Sequence, residues 1–236
     1  MKFYTSITVL IFFMCSNLLA QSAYEKAMKS NLQSLYAARE AGEFDAIANK
    51  FIRIAEAEKN KWMPYYYASL AHIWKSFRVE DSETKDELLN QAFNHLYSAS
   101  AIEEQNAEIL ALEGFIHMLR ISIDPGTRGQ SITPKAFSAF GKALKLEPQN
   151  PRALLFNGQM QHGMAKFFGA GMDEACMNIS LAVEAFEQSK SNDDLAPSWG
   201  RGTATEWKSK CQEKACLLYT SPSPRDQRGS RMPSSA

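Results

Sequence analysis

Apolar residues recur every three or four positions along most of the chain. No stretch alternates apolar and polar residues with the period of two that a half-buried strand requires. The pattern predicts nine helices, at about 23–41, 44–59, 63–77, 85–103, 107–121, 133–146, 151–168, 172–189 and 203–214. Punctuation falls between them: Gly42 reads as a stop, Asp124-Pro-Gly126 as a break, and Pro64, Pro134 and Pro151 as first-turn prolines.

The helices also repeat as pairs. Ala136, Phe140 and Ala143 share one helix face, Leu146-Glu-Pro-Gln-Asn150 follows, and the next helix carries Gly158. The same order recurs, with more change, in Ala92, Leu96 and Ala99 leading to Gly114, and in Ile47, Phe51 and Ile54 leading to Ser69. Residues at i, i+4 and i+7 point one way on a helix. Small residues at two of those positions let a partner helix approach, and the large one fills the gap. From Ala23 to Ser189 the chain therefore resembles the tetratricopeptide family, and the fold expected is all-α, antiparallel helix-pair repeats in a right-handed α-solenoid. It departs from the family in length: Trp62, Ala107 and Pro151 begin successive pairs 45 and 44 residues apart, against 34 in the family. The positions where the family usually has Trp and Tyr are Tyr65, Leu110 and Leu154, and His72, His117 and Gln161.

The resemblance implies a concave face lined by the first helix of each pair, which binds a protein or peptide. Carried over, its groove residues are Met63, Tyr66, Leu70 and Ile73; Glu108, Ala111, Phe115 and Met118; and Arg152, Leu155, Gln159 and His162. The other reading is structural: a short solenoid closing over its own groove, because Leu70, Ile73, Phe115 and Met118 favour burial.

Both ends fall outside the repeat domain, which is placed at 21–215. Lys2, the apolar run Ile7 to Met14 and Ala20 have the grammar of a secretory signal peptide over 1–20. With the repeat pattern and Trp199-Gly200, this looks like exported repeat proteins of Bacteroidetes-type bacteria. The expected location is periplasmic or exported; Cys15 after Met14 is a poor lipidation site. Residues 216–236 back-translate into two blocks resembling sequencing-library adapters, separated by an index-length gap at Gln227 to Gly229. They are expected to be a non-native, disordered tail. Cys176 and Cys211 are then the two cysteines left, and in an oxidising compartment they are a candidate disulfide; two separate buried thiols are the alternative.

Charge and motifs remove other functions. The chain holds 26 basic and 26 acidic residues and no basic face, which argues against nucleic acid. No membrane span is expected once the leader is removed. Phosphate loops, nucleophile elbows, His-Glu-x-x-His and Cys-x-x-Cys are all missing, so no catalytic residue, metal or cofactor is expected and the protein is read as a non-enzyme. An enzyme built on His72, His117 and nearby acids is the remote alternative. His95, on a helix with Asp86 and Glu87, reads as solvated, and Met160, Met164 and Met172 as core fillers. The sequence leaves oligomeric state open.

Overall fold

The computed structural model describes residues 23–189 and 193–220, and side-chain surroundings up to Gln212. Among these residues the protein is all-α, with nine helices and no strand: α1 (23–37), α2 (Ala41–Ala57), α3 (Met63–Ser76), α4 (Ser82–Ile102), α5 (Ala107–Ile123), α6 (Pro125–Leu146), α7 (Pro151–Phe168), α8 (Asp173–Gln188) and α9 (Arg201–Thr220). The expected signal peptide lies outside the described residues. α9 runs through residues 216–220, the start of the stretch expected to be disordered; 221–236 lie outside the described residues.

Side chains start most of the helices. Asp81, Asn106, Asp124 and Asn150 each accept a backbone N–H from the first turn of α4, α5, α6 and α7, satisfying donors that have no partner within the helix. Gly169, with φ of 69°, closes α7 in the left-handed conformation.

Two boundaries differ from the sequence reading. Gly42 stops nothing: it sits in the first turn of α2, which begins at a box in which the Glu43 side chain accepts the backbone N–H of Glu40. Asp124-Pro-Gly126 opens a helix rather than breaking the chain. Asp124 caps it and Pro125 occupies its first turn, so α6 starts eight residues before the expected 133, and Pro134 lies inside it. In the α5/α6 pair these added turns absorb most of the residues by which the repeat exceeds the family's length.

From α2 onward each helix packs on the next, and α5 also packs on α3 and α7; α1 joins α2 through the Asn31 side chain, which donates to the Ile47 carbonyl. This makes four antiparallel pairs, α1/α2 to α7/α8, with α9 against α8. The first helices α3, α5 and α7 lie side by side as an inner row. The spacing seen in the sequence does the joining. Ala136, Phe140 and Ala143 are fully buried, and a Cβ on Gly114 would lie 2.4 Å from the Phe140 ring. At Gly158 a Cβ would lie 2.8 Å from Ile179 Cγ1 and 2.9 Å from the Ala175 carbonyl oxygen. Ala107, Ala111, Ala143 and Ala153 form a small all-alanine contact where α5, α6 and α7 meet. The disulfide Cys176–Cys211, with Cα atoms 5.7 Å apart, ties α8 to α9.

Candidate binding face

Residues 193–200 leave α8 and cross the inner row before α9 begins, as a strap held mainly by side chains of the first helices. Tyr67 Oη donates to the Leu195 carbonyl at 2.6 Å, and an Arg152 guanidinium N–H donates to the Pro197 carbonyl. Trp199 Nε1–H donates to Tyr66 Oη at 3.0 Å. Ser198 meets the Tyr36 hydroxyl at 3.3 Å, and Lys29 pairs with Asp194 at 2.7 Å. Leu195 is buried. Gly200, at φ 103°, turns the strap into α9 where a Cβ would lie 3.0 Å from the Phe186 ring, so a side chain there is both strained and crowded.

Under the strap lies a polar cluster roofed by aromatic rings. Arg152 Nη1 donates to Glu108 Oε1 at 2.8 Å, Asn150 Nδ2 donates to the same oxygen at 2.8 Å, and Tyr66 Oη donates to Glu108 Oε2 at 3.4 Å. Burial pushes the Glu108 carboxyl upward, opposed by Arg152 and then by the Asn150 hydrogen bond. Burial also holds the Tyr66 hydroxyl well above its usual range. Phe115 and Phe156 stack with ring centres 4.0 Å apart, and Trp199 lies 6.0 and 5.7 Å from them. The Arg152 guanidinium sits 5.3 Å from the Trp199 ring centre and 5.5 Å from that of Phe186, within cation–π range.

Of the groove residues carried over from the family, Tyr66, Glu108, Phe115 and Arg152 come together at the strap. Leu70, Ile73 and Leu155 are fully buried, as is Ala111; they pack the row and offer nothing to a ligand. Met63, Met118, Gln159 and His162 are half-buried, and the His162 ring meets Trp207 of α9 edge-on at 5.2 Å. Missed by the sequence reading were Phe156, Phe77 and the strap itself. Phe156 follows Arg152 by one helical turn and Phe77 follows Tyr66 by three, spacings that could have placed both on the inner face.

The histidines lie elsewhere. His72 does not meet His117: it stacks on His95 at 5.3 Å, while His117 lies beside Phe93 at 5.8 Å and 3.7 Å from Glu113. His95 is half-buried rather than solvated, since this stacking fills the α3–α4 seam. Of the three methionines expected in the core, Met160 is buried but Met164 is exposed and Met172 is half-buried. No three His, Cys, Asp or Glu converge as a metal site among the described residues, and none of their helices is long and apolar enough to cross a membrane.

Burial, reinforced by His95 and Lys75 and opposed by Asp45, lowers the His72 pKa from 6.5 to about 4. The unfolded chain therefore binds this proton more readily. Stability from neutral His72 is full above pH 6.5 and falls as pH drops toward 4, by about 2 kcal/mol at pH 5. Urea unfolding at pH 7 and pH 5 should show a larger loss for the parent than for His72→Asn; equal losses would refute it.

No family model matches the chain, and no curated protein matches it. Among solved structures it is similar to the HusA haemophore from Porphyromonas gingivalis: TM-score 0.72 and 24% identity, covering 85% of this chain and 96% of that one. That likeness shows a shared fold. A thermophilic TPR protein of Thermus thermophilus gives a TM-score of 0.49 at 18% identity, over 86% of this chain and 95% of that one.

Proposed function

We propose that the protein is an exported, non-catalytic carrier whose ligand is haem. The observation that carries this reading is the strap. Residues 193–200 cross the inner row where a long peptide would otherwise run, pinned through the Leu195 and Pro197 carbonyls, so the inner face left beside the strap suits a compact ligand. The fold shared with a haemophore along nearly the whole of both chains supports haem as that ligand, and a disulfide between α8 and α9 suits an oxidising compartment. Titrating haemin into the purified protein tests it. A saturable shift of the Soret band at one site per chain is expected, and a titration matching haemin in buffer alone rejects the reading.

A second reading, a protein or peptide ligand in the groove, is favoured by the strap's own extended course over the inner row. It predicts that a synthetic peptide of residues 193–200 binds a Trp199→Gly variant and not the parent. Failure to bind the variant counts against it.

A further inference from the structure

The strap covers the inner row only over the first halves of α3, α5 and α7. Phe77 lies eleven residues after Tyr66 and Phe167 eleven after Phe156, which is three helical turns in each case, so each continues the stripe that faces the strap. Both rings are open to solvent, Phe77 at 53% and Phe167 at 83% exposure. Phe77 leans on Phe115 with ring centres 6.3 Å apart, which makes it the outward continuation of the Phe115–Phe156–Trp199 cluster. Between the two rings α5 presents half-buried Met118 and exposed Ser122. On α7, one turn before Phe167, Gly163 leaves open space where a side chain would stand. Register thus places Phe77 and Phe167 at the C-terminal ends of α3 and α7, two helix spacings or roughly 16–20 Å apart, and the stretch of inner face between them, with Met118, Ser122 and Gly163, forms the candidate bay.

Each ring has a cation next to it in the chain. Arg78 follows Phe77 and Lys166 precedes Phe167; both are exposed, and neither side chain has a hydrogen-bond or ion-pair partner among the described residues. Because α3, α5 and α7 run parallel, both cations stand at the same edge of the inner face. Two exposed phenyl rings at the ends of neighbouring inner helices offer an apolar surface to a ligand, and two unpaired cations on one edge suit two negative groups on one edge.

We propose that this bay seats a porphyrin, its flat face against Phe77, Met118 and Phe167 and its two carboxylates on Arg78 and Lys166. The assignment rests on the haem reading and names its site. The test compares haemin with haemin dimethyl ester, which lacks both carboxylates, by Soret absorbance and tryptophan quenching. The proteins are the parent, a Phe77→Ser/Phe167→Ser variant, an Arg78→Glu/Lys166→Glu variant, and Tyr97→Ser, which alters a ring 72% exposed on α4. Tyr97→Ser should bind like the parent. The phenylalanine variant should weaken both ligands by roughly tenfold or more. The charge variant should weaken haemin by about tenfold and leave the ester unchanged. All four positions are exposed, so unchanged circular dichroism is expected; should the phenylalanine variant misfold, the charge variant and the ester decide alone. Parent-like haemin binding by both double variants overturns the bay while leaving haem binding intact. Failure of the parent to bind either ligand overturns the haem reading itself.

Discussion

Replacing Arg152 by alanine is expected to cost the protein about 3–5 kcal/mol, the range for removing one partner of a buried ion pair. Arg152 and Glu108 are both shielded, with 4% and 17% of their side chains exposed, and the guanidinium also holds the Pro197 carbonyl and underlies the Trp199 ring. Without it Glu108 keeps Asn150 and Tyr66 as donors but loses its countercharge. The carboxyl, already raised by burial, would rise further. A raised carboxyl favours the folded state at low pH and loses that contribution as pH increases, so the cost should be smaller at pH 5 than at pH 8. Adding Glu108→Gln should restore part of the stability, because the stranded charge accounts for much of the loss. Urea unfolding followed by tryptophan fluorescence measures the parent and both variants. A loss below about 1 kcal/mol for Arg152→Ala, or no recovery in the double variant, means that this pair is not what anchors the strap.

The helix pairs were legible because their determinants are local. Small-large-small spacing at Ala136, Phe140 and Ala143, followed by Gly158, states which faces meet, and Asn150-Pro151 states where a helix starts. Ambiguity arose where one local chemistry serves two structures. Asp-Pro-Gly is turn chemistry, yet Asp124 accepting the Thr127 N–H and Pro125 in a first turn are equally helix-start chemistry. Glycine near a helix end suggests a stop, but Gly42 lies within a Glu40–Glu43 box that uses no serine or threonine. The binding face was half legible: register on α3, α5 and α7 found Tyr66, Glu108, Phe115 and Arg152, whose partners lie far away in sequence. The strap was not legible as such. A Pro-Ser-Trp-Gly loop announces a turn, whereas its docking depends on Tyr67 reaching a carbonyl 128 residues away. Nor does register separate Leu70 and Leu155, sealed between helices, from Phe77 and Phe167, which end the same helices in the open.

Breaking Cys176–Cys211 is expected to cost about 3–4 kcal/mol and to loosen the strap. The two cysteines stand 35 residues apart, and closing a loop of that length removes about this much conformational freedom from the unfolded chain in the chain-entropy account. The loop contains most of α8, the whole of 193–200 and the first half of α9. Besides the disulfide, the far end of the strap has the Trp199–Tyr66 hydrogen bond, an Arg201 side chain donating to the Phe186 carbonyl, buried Ala204 and the His162–Trp207 ring contact, while Glu206, Ser209 and Lys210 of α9 are exposed. The near end has Tyr67 and Arg152. With the bond gone, α9 should separate from α8 before the repeats unfold, since the α1–α8 pairs have their own core. Limited proteolysis and tryptophan fluorescence of Cys176→Ser/Cys211→Ser should then report cutting near α9 and a wetter Trp199 at denaturant concentrations where α1–α8 remain helical. If the variant and the parent instead unfold at one shared midpoint, the disulfide contributes nothing to strap docking, and the Tyr66, Tyr67 and Arg152 contacts hold the segment by themselves.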